Sequence, residues 1–257
     1  MKTIILAGGF GSRLSEETEN KPKPMVEIGN KPIIWHIINI YLSFGFNDFI
    51  IALGYKGDYI KKYFLDYINY SGDLTISSIN GKKKITDKQS KDWNVNLIDT
   101  GHGTNTGGRI KYLKKYIKNE TFMLTYGDGV SSLNVEELVK YHKKMGKLVT
   151  ITAVRPPARF GGLIIDDGKV KKFAEKHQAG EGWINGGFMV FEPEVLEMIE
   201  GSSSSLEYSL LDNLAKQQQL SAFCHDGFWQ CMDTKRDLQY LEELWASGKA
   251  PWKVWNE

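Results

Sequence analysis

Short apolar runs alternate with stretches of helical periodicity through the first half of the chain. Thr3 to Leu6 is a buried-strand run that stops at glycines, and Asp48 to Leu53 is a second. Between them Ile33, Ile34, Ile37, Ile38 and Tyr41 recur at helical spacing, with Pro32 in a first-turn position. Ile60, Tyr63, Phe64, Tyr67 and Ile68 stand at i, i+3, i+4, i+7 and i+8, one face of an amphipathic helix. Further strands fall at 94–98 and 121–125, and further helices at 107–118 and 135–145. Asn134, with Glu137 three residues on, caps the last of these, and Gly146 ends it. Alternating βα units imply an α/β fold with a mainly parallel sheet, helices on both faces, and ligands at the carboxyl ends of the strands.

The second half has a different rhythm. Strands at 148–154, 163–166, 169–173 and 184–191 follow closely, with turns such as Asp166-Asp167-Gly168. Helices at 193–199, 206–218 and 235–246 come next, broken by a strand at 220–224. Ser202 to Ser205 reads as a flexible loop before a helix. This half supplies the rest of one mixed sheet plus a small lid, with no linker, so residues 1–257 form a single domain.

Composition narrows the function. Of 257 residues, 41% are hydrophobic and 25% charged, enough apolar material for a core. Lys plus Arg less Asp plus Glu is 33 − 31 = +2, which excludes clamping of a nucleic-acid backbone but leaves room for a local cationic pocket. Cys224 and Cys231 stand without a second pair, against a zinc site or disulfide scaffold and in favour of a reduced cytoplasmic setting. The apolar run before the first glycines is too short for a signal peptide, and no stretch approaches a membrane span.

Three segments carry candidate chemistry. The first strand runs into Gly8-Gly9-Phe10-Gly11-Ser12-Arg13, where glycines let backbone N–H groups approach an anion and Arg13 adds a bidentate phosphate donor. No Gly-Lys-Ser/Thr follows, so it is not a Walker loop; Leu14 in place of a third glycine argues against a dinucleotide fingerprint. Lys21-Pro22-Lys23-Pro24 holds Lys23 between two prolines as a stiffened cation. Asp128 follows an apolar strand between two glycines, well placed to ligate a metal; Asp233 precedes a helical pattern and by spacing alone reads as its N-cap.

LAGGFGSRL followed by KPKPMVEIGNKPIIWH resembles the signature of sugar-1-phosphate nucleotidyltransferases, and YGDGV, KKFAEK, WINGGFMVF and HDGFWQCMDT continue it in order over nearly the whole chain. DTGHGTNTGGRI and the closing GKAPWKVW look like the glucose-1-phosphate cytidylyltransferase branch. The resemblance implies a Rossmann-like fold of the nucleotide-diphospho-sugar transferase type. It implies nucleotide-binding roles for Leu6, Ala7, Gly8, Gly9, Gly11, Ser12, Arg13, Lys23, Thr104, Arg109 and Gly127, with Arg13, Lys23 and Asp128 catalytic. It assigns Glu175, Lys176, Asn185 and Gly186 to the sugar, with His177 departing from the proline usual in relatives, and reverses the reading of Asp233, which joins Asp128 as a Mg²⁺ ligand. Locally, Asn185-Gly186-Gly187 reads as a bulge and Glu175-Lys176 as a surface pair.

The implied reaction makes CDP-glucose and pyrophosphate from CTP and glucose 1-phosphate, for deoxysugars of bacterial surface polysaccharide, in a cytoplasmic homo-oligomer for which the family suggests a hexamer. The implied nucleotide half spans about 1–130, the sugar half about 131–234, and a C-terminal helix and tail 235–257. The rivals are the same reaction with UTP, dTTP or another sugar 1-phosphate, a non-catalytic nucleotide-sugar sensor, and an NAD-dependent dehydrogenase. His36, His142 and His225 read as packing or surface groups, and Trp252 and Trp255 predict a tail docked on its own domain or on a neighbouring subunit.

Overall fold

The computed structural model describes residues 1–11, 14–86, 92–156, 162–166, 169–174 and 182–255. Seven strands form the central sheet: β1 (Thr3–Ala7), β2 (Asp48–Leu53), β3 (Asn94–Asp99), β4 (Phe122–Tyr126), β5 (Val149–Val154), β6 (Ile184–Phe191) and β7 (Leu220–His225). Their spatial order is β7-β5-β6-β4-β1-β2-β3. Pairing is parallel throughout except that β6 runs antiparallel to both β4 and β5. This is the mixed, mainly parallel α/β sheet expected.

Both faces of the sheet are covered, which is why β1, β2 and β4 read as nearly unbroken apolar runs, whereas the edge strands β3 and β7 mix polar and apolar positions. Ile5, Ala7, Phe49, Ile51 and Leu53 enter one core, with α1 (Ile33–Leu42), α2 (Gly57–Asn69) and α4 (Val135–Met145) packed over them. Ile4, Leu6, Ile50 and Ala52 enter the other, under α3 (Thr106–Tyr112) and the segment Leu206 to Leu214. Asn134 caps α4 by accepting from the Glu137 N–H at 3.1 Å, and Gly146 ends it at φ 58°.

Four expectations change. The helix expected at 107–118 breaks at Leu113 into α3 and a short helix, Lys114–Ile117. Residues 193–199 form a 3₁₀ helix, Pro193–Met198. The helix expected at 206–218 opens as a π-turn, Leu206–Leu211, because the Ser205 carbonyl accepts from both Ser209 and Leu210, and becomes α-helical only over Asp212–Lys216. Gly162–Asp166 and Lys169–Ala174 pair only with each other as a hairpin beside the main sheet.

The C-terminal tail docks on its own chain. Trp252 is fully buried and Trp255 nearly so, packed with Trp35, Trp245 and His36 around α1 and α5 (Lys235–Ala246). The Trp252 indole N–H donates to His36 Nδ1 at 3.3 Å, so Nε2 carries the imidazole proton and donates to the Ile28 carbonyl at 2.9 Å. Burial lowers the His36 pKa to about 4, keeping the ring neutral. Among the described residues no helix is long and apolar enough to cross a membrane, and Cys224 and Cys231 are both free thiols.

Candidate active site

A crevice opens where β1 and β4 lie side by side. β1 leads outward to β2 on one flank, whereas the chain returns from β3 across the sheet to β4 on the other, and ligands settle at such a reversal. The loops after both strands meet there, with the Gly127 N–H donating to the Leu6 carbonyl at 3.0 Å.

A cavity of about 380 Å³ fills the crevice. Leu6 and Ala7 wall it from the end of β1, and Gly8, Gly9 and Gly11 from the loop that follows. Gly127 and Asp128 come from the end of β4, Thr104 and Arg109 from the segment after β3, and Lys23 and Asp233 close it. Ser12 and Arg13 lie outside the described residues. Sequence reasoning missed Phe10, Pro24, His102, Thr106 and Tyr126, which line the same space. Phe10, Tyr55 and His102 meet ring to ring, with centroids 5.1 to 5.7 Å apart, so His102 is a packing group at the cavity mouth.

Lys23 is the electrostatic centre. It starts a single 3₁₀ turn, Lys23–Met25, set by Pro22 and Pro24, which is the stiffening the dipeptides implied. Its Nζ donates to Asp128 Oδ2 at 2.6 Å and to Asp233 Oδ1 at 2.5 Å, and the side chain is 12% exposed. Burial alone would lower the ammonium's pKa, but Asp128 and then Asp233 outweigh it and the net direction is upward. Asp233 makes this contact from just before the helix and is not its cap. Thr234 caps α5, accepting from the Asp237 N–H while Asp237 accepts from the Asp233 and Thr234 N–H groups.

These two carboxylates suit a small hard cation. They converge on one point, are only 30% and 18% exposed, and face the cavity. Among the described residues no group of three or more His, Cys, Asp or Glu side chains gathers as a metal cage. A pair of carboxylates is what Mg²⁺ takes when phosphates and water complete its shell. Burial, then Asp233 and Asp128, push the neighbouring Cys231 thiol up to about 12, so it is no nucleophile near neutral pH.

Arg109 has a structural task here. Its Nη1 reaches the Leu53 and Gly101 carbonyls and the Thr100 hydroxyl at 2.7 to 2.9 Å, and its Nη2 reaches the Gly8 carbonyl at 3.1 Å. The guanidinium covers Gly8 so closely that a Cβ there would stand 2.3 Å from its carbon, hence glycine. Thr104 donates to the Thr100 carbonyl at 2.7 Å and firms the same turn. The serine run expected to be flexible is pinned to this segment: the Asn105 and Gly108 N–H groups donate to the Ser202 and Ser204 carbonyls.

A second cavity of about 250 Å³ adjoins the first and shares Tyr126, Asp128 and Asp233 with it. Asn185 and Gly186 line it from β6, and the Trp229 indole N–H donates to the Gly186 carbonyl at 2.8 Å. The bulge reading holds as well, since Ile151 pairs with Met189 but Ala153 pairs with Asn185, leaving extra residues on β6. Glu175, Lys176 and His177 lie outside the described residues.

Residues 2–243 match the Nucleotidyl transferase family model. Glucose-1-phosphate cytidylyltransferase of Salmonella typhi is 50% identical over 257 residues, covering 100% of both chains. The chain belongs to the nucleotidyl transferase family, in its glucose-1-phosphate cytidylyltransferase branch. Within that family, mannose-1-phosphate guanylyltransferase catalytic subunit beta of Drosophila pseudoobscura pseudoobscura is 31% identical over 246 residues, covering 92% of this chain and 60% of its own. The crystal structure of HddC from Yersinia pseudotuberculosis superposes with a TM-score of 0.69 at 26% identity, covering 95% of this chain and 99% of that one.

Proposed function

We propose that the chain transfers a cytidylyl group from CTP to α-D-glucose 1-phosphate, releasing pyrophosphate and forming CDP-glucose. One observation carries the reading: two adjoining cavities share Asp128 and Asp233, with the Lys23 ammonium held between those carboxylates. The full-length likeness to the Salmonella enzyme supports the choice of base and sugar.

A sugar-phosphate oxygen attacks the α-phosphorus in line as the bond to the bridging oxygen breaks, and that electron pair leaves with pyrophosphate. The attacking phosphate is already anionic, so no general base or nucleophilic side chain is required. Positioning and charge neutralisation supply the rate. Backbone N–H groups of the Gly8–Gly11 loop, with Ser12 and Arg13, take the triphosphate, and Lys23 brings its cation to the reacting phosphates. Arg109 and Thr104 hold the loop beside base and ribose. Asn185, Gly186, Glu175 and Lys176 receive the sugar phosphate. Asp128 and Asp233 would hold Mg²⁺, which when bound neutralises phosphate charge.

In this reading residues 1–130 chiefly carry the nucleotide, 131–234 the sugar and 235–257 the closing helix and tail, within one domain. The working form is a cytoplasmic homo-oligomer, a hexamer by family likeness, whose product feeds surface-polysaccharide synthesis.

Pyrophosphate release measured over a matrix of four NTPs and several sugar 1-phosphates, with and without Mg²⁺, tests it. Highest turnover is expected with CTP, glucose 1-phosphate and Mg²⁺ together. Equal or higher turnover with UTP or dTTP would overturn the base, and no release with any pair would overturn the reaction class.

A further inference from the structure

We propose that Glu207 is a positioning residue that locks Tyr126 into the wall between the two cavities. The inference rests on the proposed reaction, because it assigns the wall to glucose 1-phosphate.

Tyr126 ends β4, two residues before Asp128, and is one of three residues shared by both cavities. Its hydroxyl donates to Glu207 Oε1 at 2.6 Å. Beside it in the second cavity, Asn185 Oδ1 accepts the Gly187 N–H at 2.9 Å and its amide nitrogen donates to Met189 Sδ at 4.0 Å. The ring is held from its other side by the bulge. Gly187 stands at φ 82°, and a Cβ there would come within 2.5 Å of Tyr126 Cδ2.

Glu207 is itself fully engaged. Its Oε2 accepts from the Thr106 hydroxyl at 2.9 Å and the Ser205 hydroxyl at 2.8 Å. Three hydroxyl donors on one half-buried carboxylate favour the ionised form. An acceptor-only group orients every proton around it, so the Tyr126, Thr106 and Ser205 hydroxyls all point at Glu207. Thr106 opens α3 and lines the first cavity, whereas Tyr126 lines the second as well. One carboxylate therefore ties the two walls together. It projects from the π-turn Leu206–Leu211, and such turns recur at functional sites.

The test compares wild type, Tyr126→Phe, Glu207→Ala, Glu207→Gln and the Tyr126→Phe/Glu207→Ala double variant. Pyrophosphate release is measured with each substrate varied at saturation of the other, and thermal scans accompany each protein. Losing a hydrogen bond to a charged group predicts a rise of about tenfold or more in KM for glucose 1-phosphate in both single variants. KM for CTP stays within about threefold, Glu207→Gln recovers most of the loss, and the double variant is no worse than the worse single one, as coupled residues require. Unchanged KM for glucose 1-phosphate, additive losses, or an equal fall in turnover by the Ala and Gln variants with a lowered Tm would overturn the positioning role. If wild type releases no pyrophosphate, the proposed reaction fails by itself. The same variants are then compared by calorimetric binding of glucose 1-phosphate. Weaker binding in Tyr126→Phe and Glu207→Ala would support the role, and unchanged or absent binding would overturn it.

Discussion

Acidification should loosen the docked C-terminal tail through one imidazole. His36 Nδ1 accepts the Trp252 indole N–H, so an imidazolium there would set one N–H against another. Its pKa falls from 6.5 unfolded to about 4 folded, chiefly through burial. In that window the unfolded chain binds the extra proton, so the stability is fully present above pH 6.5 and is lost as pH falls toward 4. With each tenfold change in proton affinity worth about 1.4 kcal/mol, the whole contribution is about 3 kcal/mol, of which about 2 is gone by pH 5. At roughly 2–4 °C per kcal/mol for a chain of this size, wild type should lose roughly 4–8 °C of Tm between pH 7 and pH 5 through this group. His36→Gln keeps a donor and an acceptor but does not titrate, so subtracting its Tm–pH curve removes every other carboxylate and histidine. Tryptophan fluorescence reports the event directly, because Trp35, Trp245, Trp252 and Trp255 surround the ring. Parallel curves for the two proteins between pH 7 and pH 5 would refute the reasoning.

Other outcomes follow from the site. Asp128→Asn should cut pyrophosphate release by about a hundredfold or more while Tm stays near wild type; near-normal turnover with a lowered Tm would make that aspartate structural. Lys23→Ala should weaken CTP binding about tenfold to a hundredfold by calorimetry, and Lys176→Ala should do the same for glucose 1-phosphate. Loss of CTP binding in the Lys176 variant with glucose 1-phosphate binding intact would invert the division of the two cavities. Iodoacetamide at pH 8 should label exposed Cys224 and spare Cys231, whose thiol stays protonated, as peptide mass spectrometry reads out; equal labelling would contradict the burial described.

What the chain discloses locally, it discloses well. β1, its glycines, the Asn134 cap and the Gly146 stop are each set by residues within a few positions, and each forms as the pattern predicts. Features decided across the fold were opaque. Asp233 looked like a cap because the true cap, Thr234, is its neighbour; its contact with the Lys23 ammonium spans 210 positions. Arg109 carries only the nucleotide role that the resemblance implies, yet carbonyls from three other segments absorb its donors. Tyr126 and Glu207 are 81 positions apart, and neither carries a local mark of the other. The tyrosine next to Gly127-Asp128 was the one available signal.

The bridge from Lys23 to Asp233 also sets when the site can exist. A ribosome adding roughly 5–20 residues per second needs roughly 10–40 s to travel from one to the other. Throughout that interval Asp128, once made, is the only one of the two acids within reach, and Ser202 to Ser204, on which the segment after β3 rests, is still to come. A nascent first half therefore carries the glycine loop and its Arg109 contact without the serine segment on which α3 rests and without the Asp233 carboxylate. Substrate capture begins only when the last quarter of the chain has emerged, so fragments ending before that point should be inert toward both substrates.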